Sequence, residues 1–233
     1  VFDTKMDNAG HVLHKVRKGV FRKDAIGAEI SATVDIVRRR AIERHHSATH
    51  ILHWALRQVL GTHVRQAGSY VDPERLRFDF THYEAPTPGQ LREIENLANG
   101  KILENAPVRW REMPFREIPK NALAFFGEKY GAVVRLVEMG DFSRELCGGA
   151  HVSSTGEIGV IKIISESAIS SGTRRIEAVA GTAALQKIEA MQDVLDRAAR
   201  ALSCKREEIG DRLEKLAASR EEAERRLRAL MKK

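Results

Sequence analysis

The segment RHHSATHILHWALRQVLG, residues 44–61, decides how the rest of this sequence is read. Ile51 and Leu52, Ala55 and Leu56, Val59 and Leu60 recur at helical spacing, and Gly61 suits a C-terminal stop. His46 and His50 lie four residues apart near the start of this helix, so both imidazoles fall on one face. About a hundred residues on, CGGAH (147–151) repeats the spacing with Cys147 and His151 around Gly148-Gly149. Two glycines let a backbone turn tightly, so a thiolate and an imidazole can converge from one loop. His46, His50, Cys147 and His151 together form an N₃S donor set that suits tetrahedral Zn²⁺.

Two other readings of these residues stand beside zinc. His45, His53, His63 and His82 make the neighbourhood rich in histidine, so His46 and His50 can be ordinary surface or core side chains. Cys147 can also be a nucleophile with a histidine partner and no metal. The pattern speaks against a zinc protease, because H-E-x-x-H needs a Glu beside the first His and Ser47-Ala48-Thr49 fill that gap.

Three zones surround this constellation. Residues 1–40 contain HVLHKV and AEISATVDIV; in the second, Ile30, Ala32, Val34 and Ile36 alternate with polar residues as in a half-buried strand. This zone reads as the end of a small β-domain. In residues 41–181, RLRFDFT sets Leu76, Phe78 and Phe80 against Arg77, Asp79 and Thr81, and AVVRLVEM, GVIKIISE and RRIEAVA are strand-like. Thr87-Pro88-Gly89-Gln90 carries a capping box and starts a helix, with a weak point at Asn99-Gly100. A mixed or antiparallel sheet with helices on one side is expected, an α+β fold. Residues 182–233 carry apolar positions three and four apart, broken near Ser203, which is placed to cap a second helix. The second run forms an imperfect heptad seam with Arg220 at one seam position, so a helical hairpin or coiled-coil segment is expected.

Bulk properties bound the function. The chain has 233 residues, 42% hydrophobic and 30% charged, with no apolar run long enough to cross a membrane. The N-terminus lacks a signal-peptide pattern and begins abruptly, as a piece of a longer protein would. Two cysteines, Cys147 and Cys204, fit a reducing cytoplasm. A net charge of +7 fits a polyanionic partner such as nucleic acid.

HHSATHILHWALRQVLGTHVRQAGSYV, RLRFDF and ELCGGAHVSSTGEIGVIKIISESAISSGTRRIEAVAG resemble the editing domain of alanyl-tRNA synthetase, closely from Val34 to Gly181. The flanking zones are similar to the end of the β-barrel before that domain and the helical segment after it. One departure is Ala150 where the family motif usually reads C-G-G-T-H, a lost hydroxyl but no lost ligand. The resemblance implies an aminoacyl-tRNA hydrolase that removes serine, and to some extent glycine, from mischarged tRNA(Ala), with zinc as cofactor and other synthetase domains as partners. Thr49 and Gln66 match positions that the family places in the editing pocket; otherwise they are a helix-face hydroxyl and a solvated loop amide. Asp79 is a weak candidate for positioning the attacking water, since an Asp between Phe78 and Phe80 is more often structural. Arg174 and Arg175, at a strand start, and Arg40 and Arg44, in the basic run 38–44, are the expected tRNA contacts. Aminoacylation is not expected, because no ATP-using motif is seen. A threonyl-tRNA synthetase editing domain, a free-standing trans-editing protein, and a non-catalytic zinc-stabilised tRNA-binding or dimerisation module, pairing through the C-terminal helices, are the rival readings.

Overall fold

Helix α1 runs from Ile36 to Leu60 and so begins about two turns before the histidine segment. It takes up the end of the expected strand: residues 33–35 are irregular and Ile36 and Val37 are helical. The alternation loses to local helix support. Arg39 and Arg40 both reach the buried Glu43, at 2.8 and 3.0 Å, over one helical turn. The computed structural model describes residues 3–7, 11–19, 27, 29, 31, 33–124 and 130–231, so Ile30 and Ala32 of that expected strand lie outside the described residues.

Two units are present, Val1–Asp35 and Ile36–Lys233. In the first, β1 (Asp3–Met6) and β2 (Val12–Lys15) pair antiparallel. Two four-residue strands make a single ladder, and no barrel closes among the described residues.

The second unit is α+β, as expected. Strands β3 (Gln66–Val71), β4 (Leu76–Thr81), β8 (Ile161–Ser170) and β9 (Thr173–Ala180) form a sheet in the order β3-β4-β9-β8. Strands β5 (Val108–Pro114), β6 (Val133–Met139) and β7 (Ser143–Leu146) form a second sheet in chain order. Every pairing within these sheets is antiparallel, and the one parallel feature described is an isolated bridge from Leu123 to Glu145.

Helix α1 and helix α2 (Pro88–Leu103) pack on each other and on the four-stranded sheet. Ile51, Leu52, Ala55 and Leu56 meet Leu76, Phe78 and Phe80 of β4, the alternate residues whose spacing marked a buried face. Each large side chain buried here contributes roughly 1.5–3 kcal/mol. Thr87 caps α2 as its capping box requires: Gln90 N–H donates to Thr87 Oγ1 at 3.2 Å, and Thr87 N–H donates to Gln90 Oε1 at 2.8 Å. The helix continues through Asn99-Gly100. Asn99 is held there because its side-chain amide pairs with both backbone groups of Ile161, at 3.0 and 2.9 Å, on edge strand β8.

Helices α3 (Thr182–Ala201) and α4 (Ile209–Leu230) follow. Ser203 does not cap α4. It sits at φ 51°, and a short 3-10 turn, Arg206–Glu208, comes before the helix. There the Glu208 carboxylate accepts from Lys205 N–H at 3.1 Å. Leu213, Leu216, Leu227 and Leu230 of the heptad run are exposed along α4. No helix of the described residues is long and apolar enough to cross a membrane.

Candidate metal centre and adjoining cavity

Helix α1 carries His46 and His50 on one face, and β7 delivers the chain straight into the Cys147–His151 loop. One potential ligand atom from each of His46, His50, Cys147 and His151 lies within 4.8 Å of the others. Cys147 Sγ is 3.3 Å from His46 Nε2, and the His46 and His151 rings are 4.3 Å apart between centroids.

The loop is fitted to this approach. A Cβ at Gly149 would stand 1.8 Å from His46 Cε1, so any other residue would occupy the place of the imidazole. Close approach explains this glycine; neither Gly148 nor Gly149 takes a left-handed backbone. Arg135 donates from Nη1 to the carbonyls of Gly148 and Gly149, at 3.2 and 2.8 Å, and its guanidinium lies 4.3 Å from the centre of the Trp110 ring.

Two of the three cluster imidazoles, His151 and His50, are oriented by a second contact. Ser47 Oγ lies 3.1 Å from His151 Nδ1 and accepts from Val152 N–H at 3.2 Å. That leaves His151 Nε2 buried with no partner among the described residues. His50 Nδ1 lies 2.7 Å from Glu145 Oε2, and His53 Nδ1 lies 2.9 Å from Glu145 Oε1. Glu145 is 2% exposed.

Electrostatics follow from this packing. Burial pulls His50 down, but the Glu145 charge and the contacts with Cys147 lift it to about 10. Burial raises Glu145, and His50 and His53 outweigh it, holding the carboxyl well below its usual range. Burial likewise opposes ionisation of Cys147, yet the surrounding His151, His46 and His50 imidazoles bring it to about 3. His151 falls to about 4, chiefly through burial. The cluster therefore holds a ready thiolate and an orphaned imidazole nitrogen, and this N₃S set fits a borderline-soft divalent cation such as Zn²⁺.

A cavity of about 400 Å³ opens against the cluster. Thr49 and Gln66 line it together with His46, His50, Cys147, Ser69, Tyr130 and Arg135. Thr49 Oγ1 donates to His45 O at 2.9 Å, and Gln66 Nε2 donates to Ser69 Oγ at 3.1 Å. The other predicted residues lie off the cavity wall. Asp79 is gripped by both nitrogens of an Arg175 fork, at 2.7 and 2.8 Å. Arg174 forms a two-pronged pair with Glu166. Arg40 pairs with Glu43 and Glu157, and Arg44 Nε donates to the Glu157 carbonyl at 3.0 Å.

Glu145, Ser47, His53 and Arg135 escape the sequence reading. The available signal was the position of Glu145, two residues before Cys147 and so on the same side of an extended strand.

Residues 134–177, which include Cys147 and His151, match the threonyl and alanyl tRNA synthetase second additional domain. Fold and site together thus define a domain of that synthetase class. Within it, the chain belongs with the alanine–tRNA ligases. It is 48% identical over its whole length to the alanine–tRNA ligase of Opitutus terrae, covering 25% of that protein. It is 49% identical over 93% of its length to the one from Acetivibrio thermocellus, and 52% identical over 90% to the one from Hydrogenovibrio crunogenus, covering 24% of each. The chain therefore spans about a quarter of the length of the curated relatives it matches.

Proposed function

We propose that this chain proofreads tRNA(Ala), hydrolysing the ester that joins a wrong amino acid, serine and to some extent glycine, to the 3′-terminal adenosine. The observation that carries this reading is the convergence of His46, His50, Cys147 and His151 beside a cavity that the first three line together with Thr49 and Gln66. A pocket sized for alanine cannot exclude glycine, and it rejects serine only weakly for its extra hydroxyl. A second site that prefers the hydroxyl and removes the ester solves both problems.

His46, His50, Cys147 and His151 would hold Zn²⁺, which supplies a fixed positive charge that attracts oxygen or nitrogen atoms of the aminoacyl group. Four protein donors would leave a bound metal no open position for a nucleophilic water, so the role assigned to the metal is positioning. Thr49 spends its proton on the His45 carbonyl, which leaves its oxygen to accept a hydrogen bond from the serine hydroxyl. Gln66 spends one amide proton on Ser69; its carbonyl and second proton remain to orient a water or the ester. Arg135 fixes the Gly148-Gly149 backbone and so the place of Cys147. Asp79, engaged by Arg175, is assigned to the sheet and not to the water.

The tRNA is proposed to meet the basic side chains Arg40, Arg44, Arg174 and Arg175. Each has an acidic or carbonyl partner in the chain, so phosphate contact would exchange or share those partners. The exposed leucines of α4 are proposed to meet a helix of another synthetase domain or of a second copy. The proposed setting is the cytoplasm.

The deciding experiment measures serine release from Ser-tRNA(Ala), with Ala-tRNA(Ala) as control, by zinc-loaded and chelator-stripped protein. Zinc-dependent release of serine with the alanyl ester spared supports proofreading. A folded, zinc-loaded protein that binds tRNA without turnover would overturn it in favour of a binding module.

A further inference from the structure

The line His50–Glu145–His53 lies inside the protein beside the cluster, and the proposed reaction uses none of its inner members. Glu145 and His53 are almost wholly buried, at 2% and 3% exposure, as is His50. A carboxylate taken so far from water is costly unless its lone pairs are met and its charge is balanced. Both oxygens are met, by His50 Nδ1 at 2.7 Å and His53 Nδ1 at 2.9 Å. The His53 ring makes no other hydrogen bond among the described residues. Its Nε2 is buried without a partner, and its ring lies against Phe78, 5.2 Å between centroids. A buried orphan nitrogen costs roughly 1–3 kcal/mol, so this histidine is carried at an expense that its contact with Glu145 must offset.

The geometry points to Glu145 as a positioning residue for the metal centre, with His53 holding Glu145 in turn. An ionised carboxylate only accepts, so the His50 proton must sit on Nδ1. In the neutral imidazole that a metal requires, the lone pair is then on Nε2, across the ring from Glu145, where the cluster gathers. The pairing also fixes the ring plane, since the carboxylate cannot swing while its second oxygen is tied to His53. Charge completes the case. The two positive charges of a divalent cation are matched by the Cys147 thiolate and the Glu145 carboxylate, with the histidines neutral. A buried site so balanced carries no net charge.

This inference rests on metal binding at the four side chains, and the test separates the two. Zinc affinity is measured by competition with a chromophoric chelator in the unaltered protein and in Glu145→Gln, Glu145→Asp and His53→Phe. Glu145→Gln removes the charge and offers one acceptor in place of two. Glu145→Asp keeps the charge but is a methylene too short to reach both rings. His53→Phe keeps a planar ring against Phe78 and deletes the second donor. Outer partners of ligating histidines are worth about 10–100-fold in metal affinity. Both Glu145 variants are expected to lose affinity in that range, and His53→Phe toward its lower end. The thiolate-to-metal and d–d bands of the Co²⁺-loaded variants should shift as His50 turns. The rise in melting temperature on adding zinc should shrink, whereas damage to the fold alone would lower the metal-free and zinc-loaded melting points together. Whichever Glu145 variant folds is decisive. Zinc held as tightly as by the unaltered protein, with an unchanged Co²⁺ spectrum, would overturn the bracing role. Failure of the unaltered protein to bind zinc would instead overturn the metal centre itself.

Discussion

Gly149 and His46 occupy nearly the same space: a Cβ at position 149 would lie 1.8 Å from the imidazole Cε1. The Cys147–His151 loop can therefore close on α1 only without a side chain at that point. Gly149→Ala is expected to push His46 off the cluster and leave the protein with substoichiometric zinc, while the rest of the core keeps its circular-dichroism spectrum. Zinc content by mass spectrometry of the native protein decides it. Full zinc occupancy in a folded Gly149→Ala protein would contradict the geometry.

Metal removal should cost stability as well as activity. The cluster joins α1 to the loop after β7, two segments about a hundred residues apart in sequence, so a bound ion ties them together. A ligand at 100 times its dissociation constant stabilises by about 2.7 kcal/mol. For a chain of this size that raises the melting temperature by about 5–10 °C. Scanning calorimetry with zinc and with a chelator reads the difference directly, and equal melting points would mean that no ion is held.

Acid should loosen the far edge of the sheet independently of the metal. His63 Nε2 and His82 Nδ1 lie 2.9 Å apart, and the rings stack. Partial burial first, and then the neighbouring His63, lower the pKa of His82 below 6.5. The unfolded chain takes up this proton near pH 6.5 and the folded chain only at lower pH. The stabilising contribution is thus present above pH 6.5 and is lost as pH falls through the folded value. A proton NMR titration should show His82 with a midpoint below 6.5, rising in His63→Ala. An unmoved midpoint in that variant would mean that burial and the nearby Arg174 set it without His63.

The helix with two histidines, the β4 alternation and the Thr87 capping box were legible because each is a local pattern: a period or a fixed offset. The His/His/Cys/His set was legible because two pairs share one spacing. What escaped was decided by partners distant in sequence. The alternation of residues 28–37 yields at its end to α1, where Arg39 and Arg40 find Glu43. Glu145 is one carboxylate among 32 acidic residues until the fold sets it between two rings of α1. Arg174 and Arg175 look equally free for phosphate in the sequence, and each is matched to a carboxylate on the neighbouring strand.

Asp79 offers a test of that last distinction. Arg175 holds both of its oxygens, and Arg77 Nε approaches at 3.7 Å. Asp79→Asn should lower the melting temperature while leaving the rate of serine release per folded molecule close to that of the parent. A Glu at this position would have to displace the Arg175 fork and should destabilise the sheet further. Loss of turnover in Asp79→Asn with an unaltered melting temperature would return this residue to the reaction.

The choice of serine over alanine should rest on one hydroxyl in the cavity wall. Thr49 is 4% exposed, its proton is committed to the His45 carbonyl, and it sits between the two histidines of the cluster. Thr49→Val keeps the shape of the side chain and removes its oxygen, leaving a substrate hydroxyl unpaired in a desolvated pocket. A lost hydrogen bond of this kind costs about 1.4 kcal/mol, or tenfold in kcat/KM for the seryl ester. The same change should leave the alanyl ester as poor a substrate as before, because alanine offers nothing to pair. Thr49→Ser retains the oxygen and should retain most of the preference. Steady-state deacylation of Ser-tRNA(Ala) and Ala-tRNA(Ala) by the three proteins measures the discrimination. If Thr49→Val lowers both esters equally, the residue shapes the pocket and does not select the hydroxyl, and recognition then passes to Gln66, the other polar side chain that the resemblance placed on this wall.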